Sequence, residues 1–384
     1  MDFKLTEEQL EIKGAVREFC LKEFTKELAM ECDREGRFPR ELHRKAAQLG
    51  FVGIHMPEEY GGGGYGVLEN VLVVEEMCRV DSTLGTAIML SDLGCEIIQR
   101  YGTEEQKEGC LPRITSGDAV SAVAITEPAR GSAVSERLDT TATRGGDGWV
   151  INGTKTLITN APVASFFITL CQTNPEAEPP YRGQSIFLVD RDASGVDVTP
   201  IEGKMGIRAS PTGEVSFSDV EVPEGSLVGE LNRGFYHVME WFNTSRVEIA
   251  AQAVGIAQGA LDRALKYAKE REAFGRRIAD FQAISHKLAE MATKVEVARL
   301  LTYRAAWLVD AGRADPLASS IAKTYAARAA VEVADEAVQV LGGYGYIGEY
   351  DVERYYRDAK ITEIYEGTRE IQKNTITRFM LKRS

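Results

Sequence analysis

The spacing of apolar and polar positions divides the chain into three zones. Up to about residue 118 the apolar positions fall at helical intervals. Ile12, Ala15, Val16 and Phe19 lie on one face with polar residues between them. Pro57-Glu58-Glu59-Tyr60-Gly61-Gly62-Gly63-Gly64 interrupts this zone and predicts a flexible loop, after which helical patterning resumes over 68–78. From about 119 to 228 the period shortens. Stretches at 120–125, 166–171, 185–189 and 215–222 are rich in β-formers and separated by Gly, Pro and Asp-Gly turns. Val215-Ser216-Phe217-Ser218 alternates as a half-buried strand does, so a small β-sandwich or barrel is expected.

Beyond about 234 three long helical patterns follow. Ala250, Val254, Ala257, Leu261, Ala264 and Ala268 form one stripe, and Ile249, Ala253, Ile256 and Ala260 a second beside it. An arc that wide must be buried on more than one side. Residues 284–308 and 317–341 are alike, and their alanines permit close helix packing. The expected fold class is α+β and multidomain. It has an N-terminal helical domain (1–118), a middle β domain (119–228) and a C-terminal four-helix bundle (229–384) that also builds an oligomer interface.

Composition narrows the function. The 58 acidic side chains outnumber the 45 basic ones, giving a formal charge of −13. Nucleic acid and anionic membranes select clustered positive charge, so neither is an expected partner. The opening Met1-Asp2-Phe3-Lys4-Leu5-Thr6-Glu7-Glu8 lacks the apolar core of a signal peptide, and no apolar run is long enough to span a bilayer. Six cysteines without a Cys-x-x-Cys pair suit a reducing, cytoplasmic location. Four scattered histidines offer little to a zinc site or a serine–histidine triad, so no metal is expected. No Gly-x-Gly-x-x-Gly follows a strand, which argues against Rossmann-type nucleotide binding. Gly342-Gly343-Tyr344-Gly345 could hold a ligand or simply cap a helix.

Longer motifs are more specific. Ala124-Ile125-Thr126-Glu127-Pro128-Ala129-Arg130-Gly131-Ser132 is followed by Lys155-Thr156-Leu157-Ile158-Thr159-Asn160 and Glu270-Arg271-Glu272-Ala273-Phe274-Gly275. Gln282, Gln339-Val340-Leu341-Gly342-Gly343 and Ile364-Tyr365-Glu366-Gly367-Thr368 complete the series. In this order, over nearly the whole chain, they resemble the acyl-CoA dehydrogenases, whose helical, β and helical-bundle domains match the three zones.

The resemblance implies FAD as cofactor and an acyl-CoA as substrate. It also implies an electron-transfer flavoprotein or equivalent acceptor, and a homotetramer. Ile125, Thr126, Leu157, Ile158 and Thr159 would line the flavin, with the Thr159 hydroxyl near N5, where electron density rises as hydride arrives. Arg271 would pair with the pyrophosphate, its guanidinium fork satisfying two oxygens at once. Phe274, Gln282, Gln339, Gly342 and Gly343 would contact the FAD of a neighbouring subunit, the alternative for Phe274 being a place in the core. Thr368 completes the implied cofactor set. Glu366 would be the base that removes the α-proton. Its backbone N–H and a ribityl hydroxyl would stabilise the enolate-like charge. Ser132, Asn243, Arg246 and Gly367 would hold the thioester, although Arg246 could instead form a structural ion pair at the start of a helix around Val247.

Four positions qualify the resemblance. Leu157 stands where an aromatic side chain usually covers the flavin, Ala133 where an Asp is usual, and Asn243 where an acid is frequent. Residues 87–95 correspond to the helix that floors the acyl pocket. No cation stands at Leu84-Gly85-Thr86, which disfavours a dicarboxylyl group. Asp92 in that apolar stretch either contacts a polar, cyclic or partly unsaturated acyl group, serves as an additional base, or is a surface or capping residue. An oxidase or desulfinase on the same scaffold, or a non-catalytic assembly member of the fold, are the alternatives.

Overall fold

The computed structural model describes residues 4–383; the first three residues of the amino-terminal segment discussed above lie outside it. Seven helices come first: α1 (Glu7–Glu23), α2 (Lys26–Glu35), α3 (Arg40–Gln48), α4 (Val67–Val80), α5 (Ser82–Met89), α6 (Cys95–Tyr101) and α7 (Glu104–Thr115). Local chemistry fixes their ends. The Thr6 hydroxyl accepts from the Gln9 N–H (3.2 Å) and the Gln9 side chain accepts from the Thr6 N–H (3.0 Å), a reciprocal cap that starts α1. Asp81 caps α5 by accepting from the N–H groups of Thr83 (3.1 Å) and Leu84 (2.9 Å).

The strands are β1 (Ser121–Ala124), β2 (Thr141–Gly145), β3 (Gly148–Thr159), β4 (Phe166–Gln172), β5 (Gln184–Asp190), β6 (Val196–Pro200), β7 (Thr212–Pro223) and β8 (Leu227–Val228). They pair in the order β6-β7-β3-β2-β4-β5-β8, with β1 parallel to β4. The two limbs meet through the single parallel pairing Thr141–Gln172. Between them Trp149 meets Phe187 (5.2 Å between centroids) and Phe167 meets Phe217 (6.4 Å), so the limbs face each other across an aromatic core.

The C-terminal part comprises α8 (Gly234–Glu270), α9 (Gln282–Asp310), α10 (Pro316–Leu341), α11 (Val352–Ala359) and α12 (Arg369–Arg383). The wide apolar arc of α8 is buried against α4, α9 and α10 together. Gly255 and Gly259 let α4 approach: a Cβ on them would stand 2.5 Å from the Glu75 carbonyl oxygen and 2.3 Å from that of Arg79. Among the described residues no helix is long and apolar enough to cross a membrane.

Three local expectations need correction. The glycine-rich segment at 57–64 is a close-packed turn: Gly64 N donates to Met56 O (2.8 Å) and Tyr65 N to Ile54 O (3.1 Å). Residues 87–95 are not one helix. The backbone leaves α5 after Met89 and re-enters helix at Cys95 through Gly94 at φ 83°. The carbonyls freed by the break are taken up. Leu90 O accepts from Asn160 Nδ2 (2.6 Å) and Ser91 O from Ser121 N (2.9 Å), which stitches the break to the sheet. Finally, α8 begins at Gly234, so Arg246 lies inside the helix and not at its start.

Candidate active site

Glu366 follows the short turn after α11 and adopts φ 51°, with Gly367 next at φ 94°. Two successive left-handed residues reverse the chain sharply and swing the carboxylate towards α8. There Ser245 Oγ donates to Glu366 Oε2 at 2.5 Å. The carbonyls of the turn are held from below: Gln372 Nε2 donates to both Glu366 O and Gly367 O (3.0 Å each), and Lys323 Nζ to Gly367 O (2.7 Å).

Burial raises the Glu366 carboxyl above the ordinary range, opposed by the Ser245 bond and the charges of Arg246 and Lys323. Arg246 is buried, its guanidinium 5.0 Å from the Phe242 ring centre, and among the described residues its Nε has no hydrogen-bond partner. Desolvation brings it down to about 10, with Glu366 acting the other way.

α8 presents a polar line to this region. Ser245, Glu248 and Gln252 recur at intervals that share one helix face. Gln252 accepts from the Tyr365 hydroxyl and donates to Thr86 Oγ1 (2.7 Å). Glu248, one turn from Ser245, accepts from Asn70 Nδ2 (2.9 Å) and meets Glu96 and His55. His55 Nε2 stands 3.6 Å from Glu96 Oε1, its side chain 7% exposed, and Trp241 Nε1 donates to Glu96 Oε2 (3.2 Å). Burial would lower the His55 pKa, but Glu96 outweighs it and brings it up to about 9. Burial likewise would raise Glu96, but His55 holds it down, while Glu248 is driven up by desolvation and by Glu96. Asp92 joins this group, pushed up to about 6 mainly by burial. The donor atoms of His55, Glu96 and Glu248 lie within 4.8 Å of one another, a spacing open to a metal ion that the scattered histidines gave no reason to expect.

The other anticipated positions fall into separate places. Ile125 and Thr126 run directly after β1, and Thr126 O accepts from Thr156 N (2.9 Å), which sets them beside Leu157, Ile158 and Thr159 on β3. Leu157 sits on a bulge of β3 at φ 57° and is 62% exposed, an apolar side chain left open on the sheet. Arg271 ends α8 and opens, with Gly342, Gly343, Tyr344 and Tyr267, onto a cleft of about 500 Å³. Gln339 directly precedes the cleft residues Val340 and Leu341, its carbonyl accepting from Gly342 N. Phe274, at φ 53° and 96% exposed, projects outward beside Phe281, and Gln282 is exposed at the start of α9. The large exposed ring does not serve this chain's own core. Ser132 stands exposed in the loop after β1. Asn243 is on α8, its carbonyl accepting from Ser319 Oγ (2.9 Å). Thr368 Oγ1 accepts from Ile371 N (3.4 Å) where α12 begins.

The structure thus gathers Glu366, Gly367, Ser245 and Arg246 in one place. It also adds Lys323, Gln372, His55, Glu96 and Glu248, which sequence reasoning did not single out. Of these only Glu248 left a sequence signal, as part of the polar line on α8.

Comparison with known proteins agrees with this architecture. Family models described as the acyl-CoA dehydrogenase N-terminal, middle and C-terminal domains match residues 6–118, 122–220 and 232–381. The chain is 42% identical over 378 residues to "Acyl-CoA dehydrogenase, short-chain specific" of Clostridium acetobutylicum, covering 98% of this chain and 99% of that one. It is 41% identical over 379 residues to "Caffeyl-CoA reductase-Etf complex subunit CarC" of Acetobacterium woodii, with coverage of 98% and 99%. The structure of butyryl-CoA dehydrogenase from Megasphaera elsdenii superposes with a TM-score of 0.94 at 37% identity, covering 99% of this chain and all of that one. The chain therefore belongs to the acyl-CoA dehydrogenase family. It is an FAD-dependent oxidoreductase that dehydrogenates acyl-CoA thioesters.

The residues present fit that cofactor. A guanidinium and two glycines with open space beside them share one cleft, and an open apolar face adjoins Thr159 on the sheet.

Proposed function

We propose that Glu366 removes the α-proton of an acyl-CoA thioester whose acyl part is small, branched or cyclic and carries no second carboxylate. The observation that carries this reading is the Glu366 turn: a carboxylate aimed by two left-handed residues, held by Ser245 and biased towards the protonated form by burial. A base of raised pKa drives proton abstraction better near neutral pH than an ordinary surface carboxylate does. FAD, when bound there, would supply the acceptor for the β-hydrogen as hydride. On the protein side, Glu366 takes the proton, its backbone N–H supports the charge growing on the thioester oxygen, and Arg246 offsets the carboxylate charge in a dry site. Gly367, Asn243 and Ser132 guide the thioester and its CoA portion.

Ile125, Thr126, Leu157, Ile158, Thr159 and Thr368 belong to the flavin end in this reading, and Arg271 to the pyrophosphate. Phe274, Gln282, Gln339, Gly342 and Gly343 belong to the FAD of a neighbouring subunit in a homotetramer. The outward ring of Phe274 supports this division, since it needs a partner surface. The units 1–118, 119–228 and 229–384 supply the pocket floor, the flavin platform and the base. An electron-transfer flavoprotein is the proposed acceptor, by likeness to the Acetobacterium relative named as part of an Etf complex. Six free, buried cysteines suit the cytoplasm.

The substrate class rests on the pocket floor. Thr86 is engaged by Gln252, and none of Leu84, Gly85 and Thr86 is itself a cation that could hold a distal carboxylate. Asp92, its carboxyl pushed up to about 6 by burial, suits contact with a polar, cyclic or partly unsaturated acyl group, or service as an additional base. A panel of straight, branched and cyclic acyl-CoA thioesters, followed by anaerobic flavin bleaching, tests the reading. Failure of every member to bleach the flavin overturns it.

A further inference from the structure

Lys323 lies two turns into α10 and is 1% exposed. Withdrawing an ammonium group from water costs several kcal/mol unless partners replace its hydration. Among the described residues its side chain has one hydrogen-bond partner, the Gly367 carbonyl at 2.7 Å. Ordinary packing does not explain such a placement, because a methionine of similar length would fill the space without the desolvation cost.

The carbonyl it holds belongs to the turn of the base. Glu366 at φ 51° is a non-glycine residue in left-handed conformation, a strain of roughly 1–2 kcal/mol that persists only where neighbours enforce it. Gln372 enforces it from α12 and Lys323 from α10. The charges facing Lys323 are Glu366, Arg246 on α8, Glu363 before the turn and Glu370 on α12. Those facing Glu366 are Arg246, Lys323 and, more distantly, Glu96 on α6, with the Ser245 hydroxyl in contact. Burial brings the Lys323 ammonium down to about 7, Glu366 pulls it up, and Arg246 opposes it. Lysine and base therefore sense each other's protonation.

We propose that Lys323 is a positioning residue for the α-proton base: through the Gly367 carbonyl it fixes the turn that aims the Glu366 carboxylate, and its positive charge favours the anionic, reactive form. This rests on Glu366 being the base. Losing the bond loosens the aim, and losing the charge makes Glu366 harder to ionise.

The test is the anaerobic rate of flavin bleaching by butyryl-CoA, or by whichever panel member bleaches the wild type fastest, from about pH 5 to about pH 9. Lys323→Met should bleach roughly 10–100-fold more slowly at saturation with little change in half-saturating substrate, the split expected when transition-state positioning and not binding is lost. Its acid limb should move to higher pH, and Lys323→Arg should bring the limb back. A flavin-replete Lys323→Met with wild-type rate and limb overturns the inference, and so does a uniform rate loss with an unmoved limb. Should Lys323→Met fail to retain flavin, Lys323→Gln is read in the same way. Failure of both neutral variants to hold flavin marks the lysine as a folding element and also overturns the inference. Glu366→Gln, run in parallel, separates the two claims. If it still bleaches, the base assignment fails. If it is silent while Lys323→Met behaves as wild type, only the lysine inference fails.

Discussion

Two buried lysines in this molecule have opposite surroundings. Lys155, on β3 under the Thr126-Glu127-Pro128 turn, donates to the Ile125 carbonyl (3.0 Å) and to Glu127 Oε1 (3.1 Å). Glu127 in turn accepts from the N–H groups of Asp139 and Thr140 (2.8 Å each). Burial would raise the Glu127 carboxyl, but Lys155 and those amides hold it low. Lys155 and Glu127 each have more than one partner, so the pair fixes the loop that carries Ile125 and Thr126. Among the described residues Lys323 has a single neutral carbonyl as hydrogen-bond partner, and nearby Arg246 keeps an unpartnered Nε. A saturated buried ion pair resists change of charge; a sparsely satisfied set responds to it. The first arrangement suits scaffolding, and the second suits a site where a proton changes hands.

This contrast predicts a graded series of effects. Glu366→Gln should cut the bleaching rate by roughly 10²–10⁴-fold, the contribution typical of a positioned base, while leaving the unfolding midpoint near wild type. Lys155→Met should do the reverse. It strands Glu127 and should cost about 3–5 kcal/mol in denaturant unfolding, with near-normal rates in the fraction that stays folded. A Lys155→Met protein as stable as wild type would dissolve the contrast. Ser245→Ala removes a charge-assisted bond worth about 1.5–3 kcal/mol. Since that bond favours the Glu366 anion, the carboxyl pKa should rise further and the acid limb of activity should move to higher pH. Asp92→Asn should change the ranking of acyl groups in the substrate panel; an unchanged ranking removes Asp92 from the pocket.

The smallest effect concerns His55. Its folded pKa of about 9 exceeds the unfolded value of 6.5. Its contribution to stability is therefore complete below pH 6.5 and is lost as pH rises through about 9. The unfolding temperature should fall by about a few degrees over that window, and Glu96→Gln should flatten the fall.

Much of the fold was legible because it follows from periodicity. The apolar arc of α8 and the alanine-rich α9 and α10 announced buried helices, and the alternation at 215–218 lies within β7. β2 and β6 escaped notice because few of their residues are buried, so they show no apolar run. The break between α5 and α6 was hidden in a continuous apolar stretch. It depends on Asn160, some seventy residues away, taking up the Leu90 carbonyl. The site was legible only where a motif carried it. Glu366 stood in Tyr365-Glu366-Gly367-Thr368, while Ser245, between the expected contacts Asn243 and Arg246, is placed on the base only by the fold. Lys323 looks in sequence like any helix-surface lysine, and His55, Glu96 and Glu248 come from three distant segments. Only tertiary packing reveals those partners.

α8 also acts as a ruler. It carries Arg246 beside the base and ends at Arg271 on the glycine-lined cleft. At 1.5 Å per residue the two arginines stand roughly 38 Å apart along one rigid axis. That span exceeds the length of one dinucleotide. Under the proposed roles, each chain owns the flavin end of one binding place and the phosphate end of another, so a lone chain completes neither. Flavin retention then becomes a matter of mass action: the yellow colour should leave the protein on dilution, at the concentration where the subunits part.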